Sequence, residues 1–190
     1  IDCQNGDFEE FVNALYVVLM NLSRKIAGDG EGATALFEVK IIGAKTKQDA
    51  VIARILFFFE KNWEELLKFS RRTQSQLDRW AARYGYKDHP RELLNHAKKG
   101  HAGRYTSVNL TNRDTIEFRI FRGTLKYNTL IATLQLLDRI CDVALFLTDD
   151  QIKAMSWTTF ASGCTAPELV RYMKERRLYV NEPVENEGEI

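Results

Sequence analysis

The sequence predicts an α+β fold in which a small antiparallel sheet packs against several α-helices. Two observations support this class. Residues 104–122 alternate apolar and polar side chains on both sides of a short polar loop, which is typical of a β-hairpin, and residues 35–42 alternate in the same way. Much of the remaining chain repeats apolar residues at intervals of three and four, the spacing of helices with one buried face.

The composition indicates a globular protein of the cytoplasm. The 190 residues are 45% apolar with a net charge of +1, so the chain can bury a core. The three cysteines are widely spaced and include no CxxC pair, which favours reduced thiols. No apolar run is long enough to cross a bilayer. We therefore expect a cytoplasmic protein without a membrane partner, and the sequence leaves its oligomeric state open.

Residues 1–48 are predicted to form a first unit of helix, turn and strand. A helix capped by Asp7 precedes three closely spaced glycines, and the strand over 35–42 follows them. Within that strand, Glu38 and Lys40 share one face and the larger apolar side chains share the other.

Residues 49–181 are predicted to form a second unit, which is helical except for the hairpin and merges with the first unit into one domain. The last residues, 182–190, contain acidic and no basic side chains, and we expect them to be a mobile acidic tail. Within the second unit, helices are predicted over 49–61, 63–84, 90–99, 129–147, 149–155 and 166–177.

The polar face of the hairpin is the first candidate site. If residues 112–114 form a three-residue loop, Asn109 lies opposite Glu117 and Ser107 lies opposite Arg119. A slip of one residue would scatter these polar side chains. The register therefore decides whether a site exists.

Three side chains of this hairpin suit nucleotide chemistry. Glu117 could be a metal ligand for a divalent cation, and Arg119 could neutralise phosphate together with Arg122 at the strand end. The alternative is an ordinary cross-strand ion pair on a solvated sheet face.

A basic surface is the second candidate site, because basic side chains outnumber acidic ones between residues 51 and 181. Three arginines share one face of the helix predicted over 63–84, and two lysines follow in the next helix. Such a stripe can bind nucleic acid or an acidic protein surface, although a solvated helix face has the same composition. The residues are Arg72, Arg79, Arg83, Lys98 and Lys99.

The first quarter of the chain, about residues 1–50, resembles the bifunctional ornithine acetyltransferase (glutamate N-acetyltransferase) family. The resemblance is carried by the run DFEEFVNALYVVLMNLSRKIAGDGEGATALFEVKIIGAKTKQDA. It implies that Glu31 lies in a substrate site and that acetyl transfer uses a threonine nucleophile exposed by self-cleavage upstream. That threonine is not found ahead of the run, and Ala35 stands where the family usually has lysine. We therefore do not expect acetyl transfer.

Residues from about 49 to 160 resemble the C-terminal part of the amidoligases of phages and mobile elements, which are glutamine-synthetase-like carboxylate-amine ligases. The resemblance is carried by FFFEKNWEELLKFSRRTQSQLDRWAARYG, GRYTSVNL, TIEFRIFRGTLKYNT and IATLQLLDRICDVA. It implies that ATP and magnesium activate a carboxylate as an acyl phosphate. Glu117, Arg119 and Arg122 would then be the catalytic residues, and Asn109 and Arg104 would contact the cofactor.

The two motifs that should complete an amidoligase site are missing. The family supplies a Gly-x-Glu-x-Glu strand and an HxH strand, whereas this chain has Glu38 and Lys40 where the histidines would stand. We therefore expect a chimera-like, non-catalytic binding protein of inhibitor type and of phage or mobile-element origin, without a cofactor. Its basic surface would engage a protein, such as a host defence nuclease, or nucleic acid. The alternative is an ATP-dependent and magnesium-dependent amidoligase.

Overall fold

The computed structural model describes residues 37–41, 44–99, 103–124 and 126–179. The predicted helix that begins at Asp7, the glycine turn, Glu31 and the acidic tail lie outside these residues. The described elements, in chain order, are β1 (Phe37–Val39), α1 (Lys45–Lys61), α2 (Trp63–Ser70), α3 (Gln74–Trp80), α4 (Pro90–Lys99), β2 (Val108–Asn109), β3 (Ile116–Phe118), α5 (Tyr127–Phe146), α6 (Asp149–Ala154), α7 (Trp157–Ser162) and α8 (Pro167–Glu175). They confirm the predicted α+β class.

The strands form an antiparallel sheet with the order β1-β3-β2. Phe118 pairs with Phe37 on one side and with Val108 on the other, and this row forms the apolar face. Asn109 pairs with Glu117, so the predicted hairpin register is confirmed. The strands are shorter than the predicted ranges. The division into two units remains a prediction, although β1 belongs to the first unit and pairs with a strand of the second.

The apolar face of the sheet packs against α1, which is the central helix. The ring of Phe59 stacks on that of Phe118 with centroids 5.4 Å apart. Every residue from Ile55 to Glu60 is buried, so α1 is covered on all sides at this point. Its neighbours are α4 and α5, and α8 packs against α5. A helix with a continuous apolar run belongs in such a central position.

The single helix predicted over 63–84 is wrong, because the chain turns in the middle of that range. Arg71 adopts a left-handed conformation with φ of 62°, which ends α2. Thr73 then begins α3: its side chain accepts a hydrogen bond from the Gln76 backbone, and the Gln76 side chain accepts one from the Thr73 backbone. This capping box provides hydrogen-bond partners for backbone N–H groups in the first turn of α3. In a continuous helix those N–H groups would be bonded to the preceding turn.

The C-terminal helices lie close to their predicted ranges, with one addition. Helix α7 was not predicted, because its six residues are too few to show a period. Its start is marked by Ser156, whose side chain accepts a hydrogen bond from the Thr159 backbone. The cap of α6 is Thr148, the residue directly before the predicted start at residue 149. Among the described residues, no helix has the length and apolar character needed to span a membrane.

Candidate functional site

The polar face of the sheet carries a buried cluster around Glu117, whose exposed fraction is 6%. Asn109 Nδ2 donates a hydrogen bond to Glu117 Oε2 at 2.7 Å, and Arg119 Nη1 donates to Oε1 at 3.1 Å. Both carboxylate oxygens therefore have protein donors. The arrangement differs from the solvated ion pair that the sequence offered as an alternative, because water is largely excluded.

Asn109 is held firmly in this cluster by the turn that follows β2. Its Oδ1 accepts hydrogen bonds from the backbone nitrogen and the hydroxyl of Thr111, at 2.9 and 2.8 Å. Its amide group is thereby oriented toward Glu117. Asn109 thus acts as a positioning group for the carboxylate, and nothing on the described chain assigns it to a cofactor.

Two further polar side chains belong to this face. Glu38 of β1 is the register partner of Glu117, and its oxygens accept from Asn112 Nδ2 at 3.3 Å and from Thr115 Oγ1 at 3.2 Å. Ser107 is buried, and its hydroxyl has no hydrogen-bond partner among the described residues. Two facing carboxylates repel each other, and the guanidinium of Arg119 offsets that repulsion.

Arg119 contacts an aromatic ring and a backbone carbonyl as well as Glu117. Its guanidinium lies 5.3 Å from the ring centroid of Tyr105, and its Nε donates to the Trp80 carbonyl at 3.5 Å. Arg104 is exposed and lies 5.1 Å from the same Tyr105 ring. The structure thus gathers Arg119 and Arg104 around one tyrosine.

Arg122 stands apart from this arrangement. Its side chain is exposed, and its backbone nitrogen donates to the Ser70 carbonyl at 3.2 Å. Of the three residues proposed as catalytic, only Glu117 and Arg119 are in contact. No group of three His, Cys, Asp or Glu side chains that could hold a metal occurs in the part of the chain that the structure describes. A metal at Glu117 remains a prediction.

The predicted basic stripe does not lie on one helix face. Arg72 lies in the turn between α2 and α3, and Arg83 follows the end of α3. Arg83 Nε pairs with Oε2 of buried Glu60 at 3.0 Å, and Lys98 Nζ pairs with Asp49 Oδ2 at 2.8 Å. Arg79 and Lys99 are exposed, and binding of a protein or nucleic acid there remains a prediction.

A cavity of about 200 Å³ lies where β1, α1, α4 and the hairpin loop meet. Its apolar wall consists of Val39, Ile41, Ile52, Leu94, Leu110 and Ile116. Its charged lining consists of Lys40, Lys45, Asp49, Lys98, Arg113 and Asp114. No pattern in the sequence indicates this cavity, because its walls come from three separate stretches of the chain.

Asp49 is a carboxylate of the cavity lining that forms ion pairs with two lysines. The hydrogen bond from Lys98 and the neighbouring Lys45, whose Nζ lies 3.3 Å from Oδ1, hold the pKa of Asp49 below its ordinary value. The carboxylate therefore stays charged at neutral pH. Two ammonium groups on one carboxylate leave a local excess of positive charge.

Comparison with known proteins shows that the first part of the chain is similar in sequence to a class of acetyltransferases. The model of the ArgJ family matches residues 2–56. The bifunctional arginine biosynthesis protein ArgJ of Bacillus cereus is 52% identical over 50 residues, which are 26% of this chain and 12% of the relative. The glutamate N-acetyltransferase of Methanocaldococcus jannaschii is 56% identical over 45 residues, which are 24% of this chain and 11% of the relative.

The match is a short segment of each relative. ArgJ 1 of Clostridium acetobutylicum is 47% identical over 53 residues, which are 28% of this chain and 13% of the relative. The chain thus spans about an eighth of the length of the curated relatives that it matches. No solved structure matches.

These comparisons confirm the resemblance of the first quarter to ornithine acetyltransferases and correct the predicted function. The matching proteins belong to arginine biosynthesis or are glutamate N-acetyltransferases. The prediction of a phage or mobile-element inhibitor and the alternative of an ATP-dependent amidoligase are therefore wrong. No comparison supports the amidoligase resemblance of residues 49–160.

The cavity lies at the end of the matched segment. Residues 39–41 and part of α1, including Lys45, Asp49 and Ile52, line it and fall within residues 2–56. The opposite wall comes from α4 and the hairpin loop, beyond the match.

Proposed function

We propose that this protein binds an amino acid of the glutamate or ornithine type, or its N-acetyl derivative, and so serves acetyl transfer of the kind that its relatives perform. The observation that carries the proposal is the cavity beside β1, because one of its walls is built from the segment shared with those relatives. Substrate binding is the step that the cavity supports, and the nucleophile that acetyl transfer requires is not assigned to any described residue.

The size of the cavity favours a single small molecule. Sites for drug-sized ligands have volumes of about 300–1,000 Å³. A volume of about 200 Å³ suits a molecule no larger than one acylated amino acid. A nucleotide would need more room.

The chemistry of the lining suits an amino acid. Lys40, Lys98 and Arg113 are donors for carboxylate oxygens, and Asp114 is an acceptor for an ammonium or amide group. Apolar side chains such as Ile52 and Leu94 provide a dry wall for methylene groups or an acetyl methyl. A few convergent polar groups on an apolar wall are the usual composition of a small-molecule site.

Calorimetric titration of the 190-residue protein tests this function. L-glutamate, L-ornithine and their N-acetyl derivatives are the ligands, and at least one should bind with a dissociation constant of millimolar or lower. Lys98→Gln should weaken that binding about tenfold. Lys99→Gln is the matched control, because Lys99 is the next residue on α4 and does not line the cavity. Absence of binding by all four ligands at 10 mM would overturn the proposal.

We also propose that no cofactor takes part in this binding. The support is chemical, since acyl exchange between two amino acids needs no nucleotide to activate the acyl group. Addition of ATP and magnesium should leave the amino-acid titration unchanged. A nucleotide-dependent rise in affinity would show that this part of the proposal is wrong.

A further inference from the structure

A cluster of five basic residues lies where the end of α2 meets the end of α8. It consists of Lys68 in the last turn of α2, Arg71 directly after α2, Arg122 after β3, and Arg176 and Arg177 directly after α8. Lys68, Arg122 and Arg177 are exposed, and the other two are partly buried. We call these five residues the basic cluster.

Contacts between α2, α8 and the segment after β3 hold the basic cluster together. Arg176 Nη2 and Nε donate to the Lys68 carbonyl at 2.7 and 3.1 Å. Arg71 Nη2 donates to the Arg122 carbonyl at 3.4 Å. Burial raises the pKa of the Tyr172 phenol, and the charges of Arg71 and Arg176 both oppose that rise. The two guanidinium groups therefore lie near the same phenol.

The end of α2 accounts for only part of this positive charge. The last carbonyls of a helix carry partial negative charge and need donors. Three of the last four carbonyls of α2 already accept from a serine hydroxyl, a tyrosine hydroxyl and a backbone nitrogen, at 2.8, 3.1 and 3.2 Å. The fourth, that of Lys68, accepts from Arg176. The helix end thus uses one of the five basic side chains.

The basic cluster has no carboxylate partner in the part of the chain that the structure describes. None of its five side chains forms an ion pair with another described residue. Glu175, the neighbour of Arg176 in sequence, is paired with Arg171 at 3.3 Å. Cations gathered in one place repel each other, and a bound anion offsets that repulsion. The basic cluster therefore suits a partner with several negative charges.

The chain itself supplies such a partner close to the basic cluster. The described residues end at Tyr179, and residues 182–189 contain four glutamates and no basic residue. Three extended residues span about 10 Å, so Glu182 is within reach of the end of α8. A binding segment joined to its site by so short a connection has an effective concentration of about millimolar.

We propose that the basic cluster binds residues 182–189 of the same chain through ion pairs with their four glutamates. The class of partner is an acidic peptide, with carboxylates spaced two or three residues apart. Each ion pair at the surface is weak and is screened by salt, so the contact depends on several carboxylates acting together. This inference is independent of the proposed function.

Carbodiimide cross-linking of the 190-residue protein tests the proposal, because this reagent joins a carboxylate to an amine that it contacts. Mass spectrometry of the monomeric fraction should show an amide link between Lys68 and a glutamate of residues 182–189. The yield should fall at least threefold in about 0.5 M salt. Lys99 is the control amine: it is exposed on α4, which contributes nothing to the basic cluster, and it should form no such link.

Charge variants show whether attraction holds the segment in place. Arg71→Gln/Arg122→Gln leaves the reacting lysine intact and should lower the yield of the link at least threefold. Arg122→Gln alone should lower it less, and this variant is expected to fold because Arg122 is exposed. Arg91→Gln/Lys99→Gln is the matched control, since it removes two exposed charges from α4 and should leave the yield unchanged.

Three results would overturn the proposal. The first is linkage of the acidic segment to Lys99 in the same yield as to Lys68. The second is a yield that neither Arg71→Gln/Arg122→Gln nor salt changes, because the link would then reflect only nearness along the chain. The third is a link found only between two molecules, which would assign the basic cluster to the acidic segment of a second copy.

Discussion

Asn109 and Glu117 face each other across β2 and β3, and the amide of one donates to the carboxylate of the other at 2.7 Å. This contact is buried, since Asn109 is 1% exposed and Glu117 is 6% exposed. In such surroundings a carboxylate oxygen that loses its donor is costly.

Asn109→Ala should therefore lower the free energy of unfolding by about 2 kcal/mol, because it leaves a buried charged oxygen without its donor. The loss caused by Asn109→Ala should be smaller in a Glu117→Gln background, because the oxygen that loses its donor is then uncharged. Urea denaturation measures both effects. Asn95→Ala is the control, as Asn95 is exposed on α4. Strict additivity of the two single substitutions would show that the contact contributes nothing.

Glu60 provides a second test of buried charge. Its exposed fraction is 3%, and it accepts hydrogen bonds from Arg83 Nε at 3.0 Å and from the Tyr84 backbone at 2.8 Å. Arg83→Met should destabilise the protein by about 2 kcal/mol, because Glu60 then keeps its charge without a cation. Arg91→Met, an exposed change on α4, should have little effect. Equal stability of both variants would show that the pair of Arg83 and Glu60 does not stabilise the protein.

Two substitutions in the turn between α2 and α3 should change the stability of the protein in opposite directions. Arg71→Gly should stabilise the protein by about 0.5–1 kcal/mol, because glycine adopts a positive φ without the steric cost that a side chain imposes. Thr73→Ala should destabilise it by about 1 kcal/mol, because the capping hydrogen bond is lost. Thermal or urea unfolding measures both. A loss of stability in Arg71→Gly would contradict the left-handed conformation at this residue.

The protonation of Asp142 on α5 should make the free energy of unfolding depend on pH. Burial and the neighbouring Asp138 raise its pKa from 3.8 to about 6. The folded state thus binds this proton more tightly than the unfolded chain. The free energy of unfolding contributed by this group should therefore fall as pH rises from about 4 through about 6. Asp142→Asn should remove that fall and stabilise the protein at pH 7 by about 1 kcal/mol, since water screens a half-buried carboxylate.

Urea denaturation at pH 4.5 and pH 7 checks this expectation. The difference between the wild type and Asp142→Asn should be larger at pH 7 than at pH 4.5. Asp88→Asn, at an exposed position, should show no such change between the two pH values. If the difference in stability between the wild type and Asp142→Asn were instead larger at pH 4.5, the folded state would stabilise the charged form of Asp142, and the prediction would be wrong.

Local patterns allowed the sheet to be predicted. The alternation around a three-residue loop was enough to place Asn109 opposite Glu117, because a one-residue slip would have buried polar side chains on the apolar face. The range of α4 could be read from Pro90, which suits the first turn of a helix. The break at Arg71 was also readable, because Thr73 and Gln76 have the spacing of a capping box, but helical periodicity on both sides concealed it.

Tertiary relationships could not be read in this way. The cavity depends on Lys40, Lys98 and Arg113 meeting from three stretches, and no local period connects them. Arg83, one member of the predicted basic stripe, pairs with the buried Glu60, and no local period connects these two residues. The predicted function is wrong for a related reason: it depends on the resemblance after residue 49, and the comparisons support only the shorter acetyltransferase segment.

The strand order β1-β3-β2 has a consequence for how the molecule forms. Among the described strands the middle one comes last in sequence, so β1 is synthesised long before β3, its neighbour in the described sheet. Until residues 116–118 have left the ribosome, Phe37 and Val39 lack the strand partners that they have in the described sheet. Closing so long a loop is slow compared with helix formation. We therefore expect refolding in which helices appear first, while an apolar β1 edge stays open to aggregation at high protein concentration.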